Sequence, residues 1–163
     1  MEVQGVGDQE FEHFVQGQYA GVVRTVVLAT GREDAEDAVQ EAFGRLFVRW
    51  SKVSRYERPD LWVRTVALRL ARRSRSRRLR ERPLSELAGA QSYCSIPDGG
   101  LRIAIGTLSK AQRVAIVLRY YEDFSLDEIA SVMQCKPSTA RVHLHRGRRR
   151  LAEIMNLEVD HVG

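Results

Sequence analysis

The chain has 163 residues, enough for one domain or two small ones, and its 44% hydrophobic content suffices for compact cores. Its 26 Lys and Arg against 21 Asp and Glu leave a net charge of +5, so partner choice has to be read from where the charges gather rather than from their sum. No apolar run approaches the ~20 residues that span a bilayer, and the acidic opening "MEVQGVGDQEFEHF" lacks the basic-then-apolar order of a signal peptide, so a cytoplasmic protein without membrane insertion is expected.

Apolar positions follow a helical period nearly throughout, and no alternating run bounded by hairpin turns occurs, so the fold is expected to be all-α. A first helix is predicted over Phe11 to Ala29, with Gly31 as its carboxyl-terminal cap. A second runs from Asp34 to Trp50, where Ala38, Val39, Ala42, Phe43, Leu46 and Phe47 form an apolar stripe. Its acids lie near the start, where the helix dipole favours them. Asp34, Asp37 and Glu41 are three and four residues apart and so share a face, with Gln40 beside them. After "SKVSRYERPD" a third helix covers Leu61 to Arg78, with Trp62, Val63, Val66, Ala67 and Leu70 turned inward. Arg69, Arg72 and Arg73 are placed on the side away from Trp62 and Val66, a cationic edge suited to a DNA strand.

Between Arg82 and Gly100, "RPLSELAGAQSYCSIPDGG" carries prolines and glycines and little periodicity, which reads as a flexible linker with room for one helical turn. Two small helical domains are expected, residues 1–80 and 101–163, joined by residues 81–100. Cys94 and Cys135 fall in the linker and in a turn, without metal-ligand spacing. His13, His143, His145 and His161 form no metal spacing with carboxylates or cysteines, and no glycine loop could cradle a phosphate. No cofactor, no metal and no catalytic residue is expected, and the chain does not read as an enzyme.

Beyond the linker the helical pattern resumes at Leu101. "SKAQ" from Ser109 and "SLDE" from Ser125 both match the capping box, placing helix starts at Lys110 and Leu126. The Leu126 helix ends near Met133, "QCK" follows, and Pro137 suits the first turn of a new helix. A short helix, a three-residue turn and a longer basic helix make a helix-turn-helix. Ile129, Ala130, Met133, Cys135 and Ala140 are apolar or small where its helices must cross closely. Gln134 stands where such turns commonly carry glycine, so either the turn is strained or Gln134 takes the left-handed conformation at some cost. The last helix, "TARVHLHRGRRRL", would enter a major groove amino end first, presenting Thr139, Arg141, His143 and Arg146 to bases and phosphates. Lys136 and Ser138 would meet phosphates flanking the groove.

From about Phe11 to Ile154 the chain resembles the extracytoplasmic-function sigma factors, the smallest class of bacterial RNA polymerase sigma subunits, in the short form abundant in actinomycetes. "DAEDAVQEAFGRLF" is similar to the family's core-polymerase-binding segment, "LWVRTVALRLARR" to its promoter-melting and minus-ten-reading helix, and "LRYYEDFSLDEIASVMQCKPSTARVHLHRGRRRL" to its minus-35-reading domain. The resemblance implies that Asp34, Asp37, Gln40 and Glu41 bind core RNA polymerase. It implies minus-ten DNA contacts through Tyr56, Arg69, Arg72 and Arg73, and minus-35 contacts through Lys136, Ser138, Thr139, Arg141, His143 and Arg146. Tyr56 and Trp62 are the aromatic candidates beside an unstacked base, Trp62 being the better fit to the core. Core RNA polymerase and promoter DNA are the implied partners, with an anti-sigma factor as a candidate third, and the chemistry belongs to the polymerase. A free-standing helix-turn-helix regulator, with residues 1–80 for dimerisation or sensing, is the alternative. A nucleic-acid-modifying enzyme would need an acid, base or metal that the sequence does not supply.

Overall fold

The computed structural model describes residues 3–31, 35–78 and 99–160, and among them the regular structure is entirely helical, as expected. Asp34, Cys94, His161 and the predicted linker, except Gly99 and Gly100, lie outside the described residues. The chain divides into two compact units.

The first unit is built on α1 (Val3–Thr30) as far as Val27, α2 (Ala35–Val53) and α3 (Pro59–Arg78). Gly31, at φ +67, takes the left-handed conformation that its place after α1 suggests. Aromatic rings join α1 to α2: Phe11 meets Phe47 and Trp50 edge-on at centroid distances of 5.0 and 5.4 Å, Phe14 meets Trp50 at 5.1 Å, and Tyr19 meets Phe43 at 5.4 Å. Ala38, Val39, Ala42, Phe43 and Leu46 are buried, as the apolar stripe of α2 predicts. Phe47 is not: it is 56% exposed. It stands at the margin of the stripe, where the neighbouring Leu46 holds the buried position and Phe47 keeps only an edge contact with Phe11.

In α3 Val63 and Ala67 are buried as predicted, but the centre of the buried face falls on them rather than on Trp62, Val66 and Leu70. Val63, Ala67 and Ala71, four apart, are buried together with Leu68, while Trp62, Val66 and Leu70 are only half-buried. The small side chains at the repeated position let α3 pack closely on α2, which leaves the bulky ones at its flank. This shift also corrects the placement of the arginines. Arg69 is seven residues from Trp62 and three from Val66, so Arg69 and Arg73 share the face of those residues rather than lying away from it. Arg64 explains part of the shift, because it turns inward and is 8% exposed. Its Nη1 donates to Gln18 Oε1 at 2.9 Å and lies 3.8 Å from Asp60 Oδ2, fastening α3 to α1.

The second unit comprises α4 (Gly99–Gly106), α5 (Lys110–Ile116), α6 (Leu126–Met133) and α7 (Pro137–Asp160). Arg113 reaches back from α5 to the end of α4, donating from Nε to the Ile105 carbonyl (3.2 Å) and from Nη2 to the Gly106 carbonyl (2.6 Å). These bonds satisfy carbonyls that a helix end leaves open. Past Ile116 the helix widens into a π-helical turn, Val117–Tyr121, which no local signal in the sequence announces. The Glu122 amide donates to the Val117 carbonyl (3.2 Å) and the Phe124 amide to the Leu118 carbonyl (2.9 Å). Asp123, at φ +56, reverses the chain so that Phe124 is fully buried. Both α5 and α6 pack on α7.

Candidate nucleic-acid interface

Local chemistry sets the start of both short helices. The Ser109 amide donates to Gln112 Oε1 (3.3 Å), and Ser109 Oγ accepts from the Gln112 amide (3.4 Å). The same reciprocal pair forms between Ser125 and Glu128, at 2.8 and 3.2 Å. Both capping boxes are therefore present where the sequence places them. At the far end of α6, Gln134 adopts φ +56, ψ +45, the left-handed one of the two outcomes expected for it. The Cys135 amide then donates to the Ala130 carbonyl at 3.0 Å, closing the helix, and Pro137 opens α7. A helix, a turn of Gln134 to Lys136 and a second helix thus form the helix-turn-helix. Ile129, Ala130 and Ala140 are buried at the crossing, and Met133 and Cys135 are half-buried beside it.

The orientation of α7 follows from its packed face. Ala140 and Gly147 are buried, and Leu144 and Leu151 half-buried, at intervals of three and four. A Cβ added to Gly147 would lie 2.8 Å from Ile116 Cγ1, so α5 and α7 approach as closely as a glycine allows. The opposite face is turned to solvent and carries Ser138, Arg141, Val142, His145 and Arg149, all exposed. Thr139, Arg146 and Arg150 line one flank and Arg148 the other. Near its carboxyl end, Glu153 pairs with Arg149 at 3.3 Å and Arg150 at 3.6 Å; such surface pairs stabilise little.

Of the residues assigned to the minus-35 element, Lys136, Ser138, Thr139, Arg141 and Arg146 are exposed at the amino-terminal half of α7 and its turn, whereas His143 is half-buried at the edge of the packed face. Val142 and His145, which depart from the polar or aromatic residues expected beside the minus-35 readers and carry no assigned contact, are set on the outward face. Counting helical phase from Ala140 would have found them, since both sit about half a turn away from it.

On α2, Asp37, Gln40 and Glu41 are exposed on one face. Glu41 forms an ion pair with Arg45, so part of that acidity is already compensated. Near the start of α3, Tyr56 is exposed in the turn after α2. Arg58 grips Asp60 with two bonds, Nε to Oδ1 at 3.1 Å and Nη2 to Oδ2 at 3.0 Å. Burial alone would raise the Asp60 pKa. Arg58 outweighs it by hydrogen bonding and charge, with help from the Arg64 charge and the Leu61 amide, and holds the carboxyl below its usual range. Further along α3, Arg72 and Arg73 are exposed and Arg69 is half-buried.

Among the described residues no cluster of His, Cys, Asp and Glu could hold a metal ion, and no helix is long and apolar enough to cross a membrane.

Residues 101–151 match the family model described as Sigma-70, region 4. The chain is similar to the RNA polymerase sigma-E factor of Streptomyces antibioticus, at 30% identity over 88% of this chain and 83% of that protein. It is similar also to the RNA polymerase sigma-E factor of Streptomyces avermitilis, at 29% identity over 88% of this chain and 84% of that one. Its fold matches the sigma factor RpoE crystallised with the anti-sigma factor NepR from Bartonella quintana, with a TM-score of 0.76 and 20% identity over 91% of this chain and 98% of that one.

Proposed function

Because the chain belongs to the extracytoplasmic-function RNA polymerase sigma factors, which bind core RNA polymerase and direct initiation at promoters, we propose a division of labour between its two units. Residues 1–80 hold the polymerase and the minus-ten DNA, residues 81–100 connect, and residues 101–163 read the minus-35 element. Asp37, Gln40 and Glu41, exposed together on α2, form the polymerase contact. Tyr56 offers a ring beside an unstacked base, and Arg72 and Arg73, with Arg69 behind them, meet the backbone of the opened strand.

The reading of the minus-35 element is carried by one observation: the face of α7 turned away from α5 and α6 bears exposed Arg141 between Ser138 and His145. Arg141 reads base edges. Lys136, Ser138, Thr139 and Arg146 hold the phosphates on either side, and His143, half-buried, reaches only the wall of the groove. Similarity to curated sigma factors extends over 88% of the chain and so over both units, which a free-standing helix-turn-helix regulator would not require.

The protein supplies binding free energy and no reaction of its own, and it works in the cytoplasm with the polymerase. An anti-sigma factor, such as accompanies the structurally similar Bartonella protein, is a candidate regulator of the same surfaces.

The test uses holoenzyme on matched and scrambled minus-35 duplexes over a salt series. Arg141→Ala should weaken the matched duplex by about 1–3 kcal/mol and relax preference at one position. Arg150→Ala should weaken both duplexes alike and lower the salt dependence by about one ion. Equal effects of Arg141→Ala on the two duplexes would reduce α7 to an electrostatic anchor.

A further inference from the structure

One side chain on the outward face of α7 has no use for phosphate. Ser138, Arg141, His145 and Arg149 all carry hydrogen-bonding groups, but Val142, at the middle of that face, is aliphatic and 45% exposed. It cannot fold back onto the core, because Ala140 and Gly147 on the opposite side mark where the core lies and the β-branched side chain has few rotamers in a helix. A helix that only gathered phosphates would gain more from a polar group at this position.

We propose that Val142 selects a T·A pair in the minus-35 element by packing against the 5-methyl group of thymine. The proposal rests on the assignment of α7 to that element. The flanking cations orient Val142 toward the bases, since Arg146 on one side and Arg148 on the other meet the two walls of the groove and the ridge between them faces the floor. The thymine methyl is the one apolar group that base edges present in the major groove, and burying it against Val142 removes apolar surface of both from water. Arg141, one residue away, supplies the neighbouring polar readout. The helix therefore reads adjacent base pairs by two chemistries, hydrogen bonding and methyl recognition.

Deoxyuridine isolates the second, since it differs from thymidine only in lacking the methyl group. The preferred minus-35 duplex is first selected by wild-type holoenzyme from a randomised pool, and each thymidine in it is then replaced singly. At one position the replacement should weaken wild-type binding about four-fold, the size expected for one buried methyl group. Holoenzyme carrying Val142→Ala should bind the thymidine and deoxyuridine duplexes alike. Val142→Thr, which keeps the branched shape and one methyl group, should retain most of the discrimination and guards against loss of the helix itself. The proposal is overturned if no thymidine is sensitive in the wild type, or if the sensitivity survives Val142→Ala unchanged. If selection yields no preference at all over scrambled duplexes, the minus-35 reading falls and takes this inference with it, a result recognisable because no base substitution then matters.

Discussion

Adding one methyl group at Gly147 sets two effects of known size against each other. Within a helix, alanine is favoured over glycine by about 1 kcal/mol. At Gly147 the new Cβ would lie 2.8 Å from Ile116 Cγ1, 3.2 Å from its Cδ1 and 3.5 Å from Gln112 Cβ. Ile116 is 4% exposed and β-branched, so it has little room to yield. Overpacking of this kind costs roughly 1–3 kcal/mol, and Gly147→Ala should therefore destabilise the protein by about 1 kcal/mol net, the propensity gain offsetting part of the clash. Chemical denaturation followed by circular dichroism measures it. In an Ile116→Ala background the clash disappears, so Gly147→Ala should become stabilising by nearly the full propensity term and the two changes should couple by roughly 2 kcal/mol. A Gly147→Ala variant as stable as the wild type, or a cost that persists without the Ile116 side chain, would refute the close approach of α5 and α7.

Replacing Asp37 and Gln40 together with arginine should abolish binding to core polymerase without loss of helix content, because both are exposed; normal affinity in a pull-down would remove α2 from the polymerase contact. Gln134→Gly should raise stability by about 0.5–1 kcal/mol, since a side chain in the left-handed region carries a penalty that glycine escapes, less the greater freedom of glycine in the unfolded chain; urea midpoints decide it. For Asp60 the charged form is favoured by folding, so its contribution is full above the unfolded value of about 3.9 and is lost as pH falls through the lower folded value. Asp60→Asn should therefore lower the melting temperature at neutral pH, and the difference from wild type should close below about pH 4; a difference that stays constant into acid would show that the ionised carboxylate plays no part.

What could be read from the sequence was whatever rests on neighbours along the chain. Both ends of α6 fell where expected because a serine, a glutamate three residues on, and a proline just beyond act through local hydrogen bonds and fixed dihedrals. The left-handed Gln134 was legible for the same reason, as one of two outcomes. Positions decided by a partner from elsewhere in the chain were not. Phe47 continues the apolar period of α2, and only the placing of Leu46 and Phe11 leaves it at the margin. In α3 the inward turn of Arg64 depends on Gln18 of α1, so an apolar count finds Val63 and Ala67 but not the buried arginine between them. The π-helical turn answers the burial of Phe124, and the need for glycine at 147 answers Ile116. At the interface, Arg141 and Arg146 stood out by charge alone. Val142 and His145 take their outward place from helical phase counted from Ala140, and His143 drew notice for its chemistry although its position sets it toward the core.

The ring cluster that joins α1 to α2 also gives the protein an optical asymmetry. Both tryptophans belong to the first unit: Trp50 lies against Phe11 and Phe14, and Trp62 flanks the buried face of α3. Residues 101–163 contain no tryptophan and carry Tyr120 and Tyr121 instead. Excited selectively, indole emission therefore reports on α1 to α3 alone, while the far-ultraviolet signal sums both units, and the two read-outs can follow separate events in one cuvette. Under the proposed assignment, a tryptophan-free partner docking on α2 would disturb the first signal directly, whereas duplex DNA on α7 would leave it unchanged unless the two units communicate.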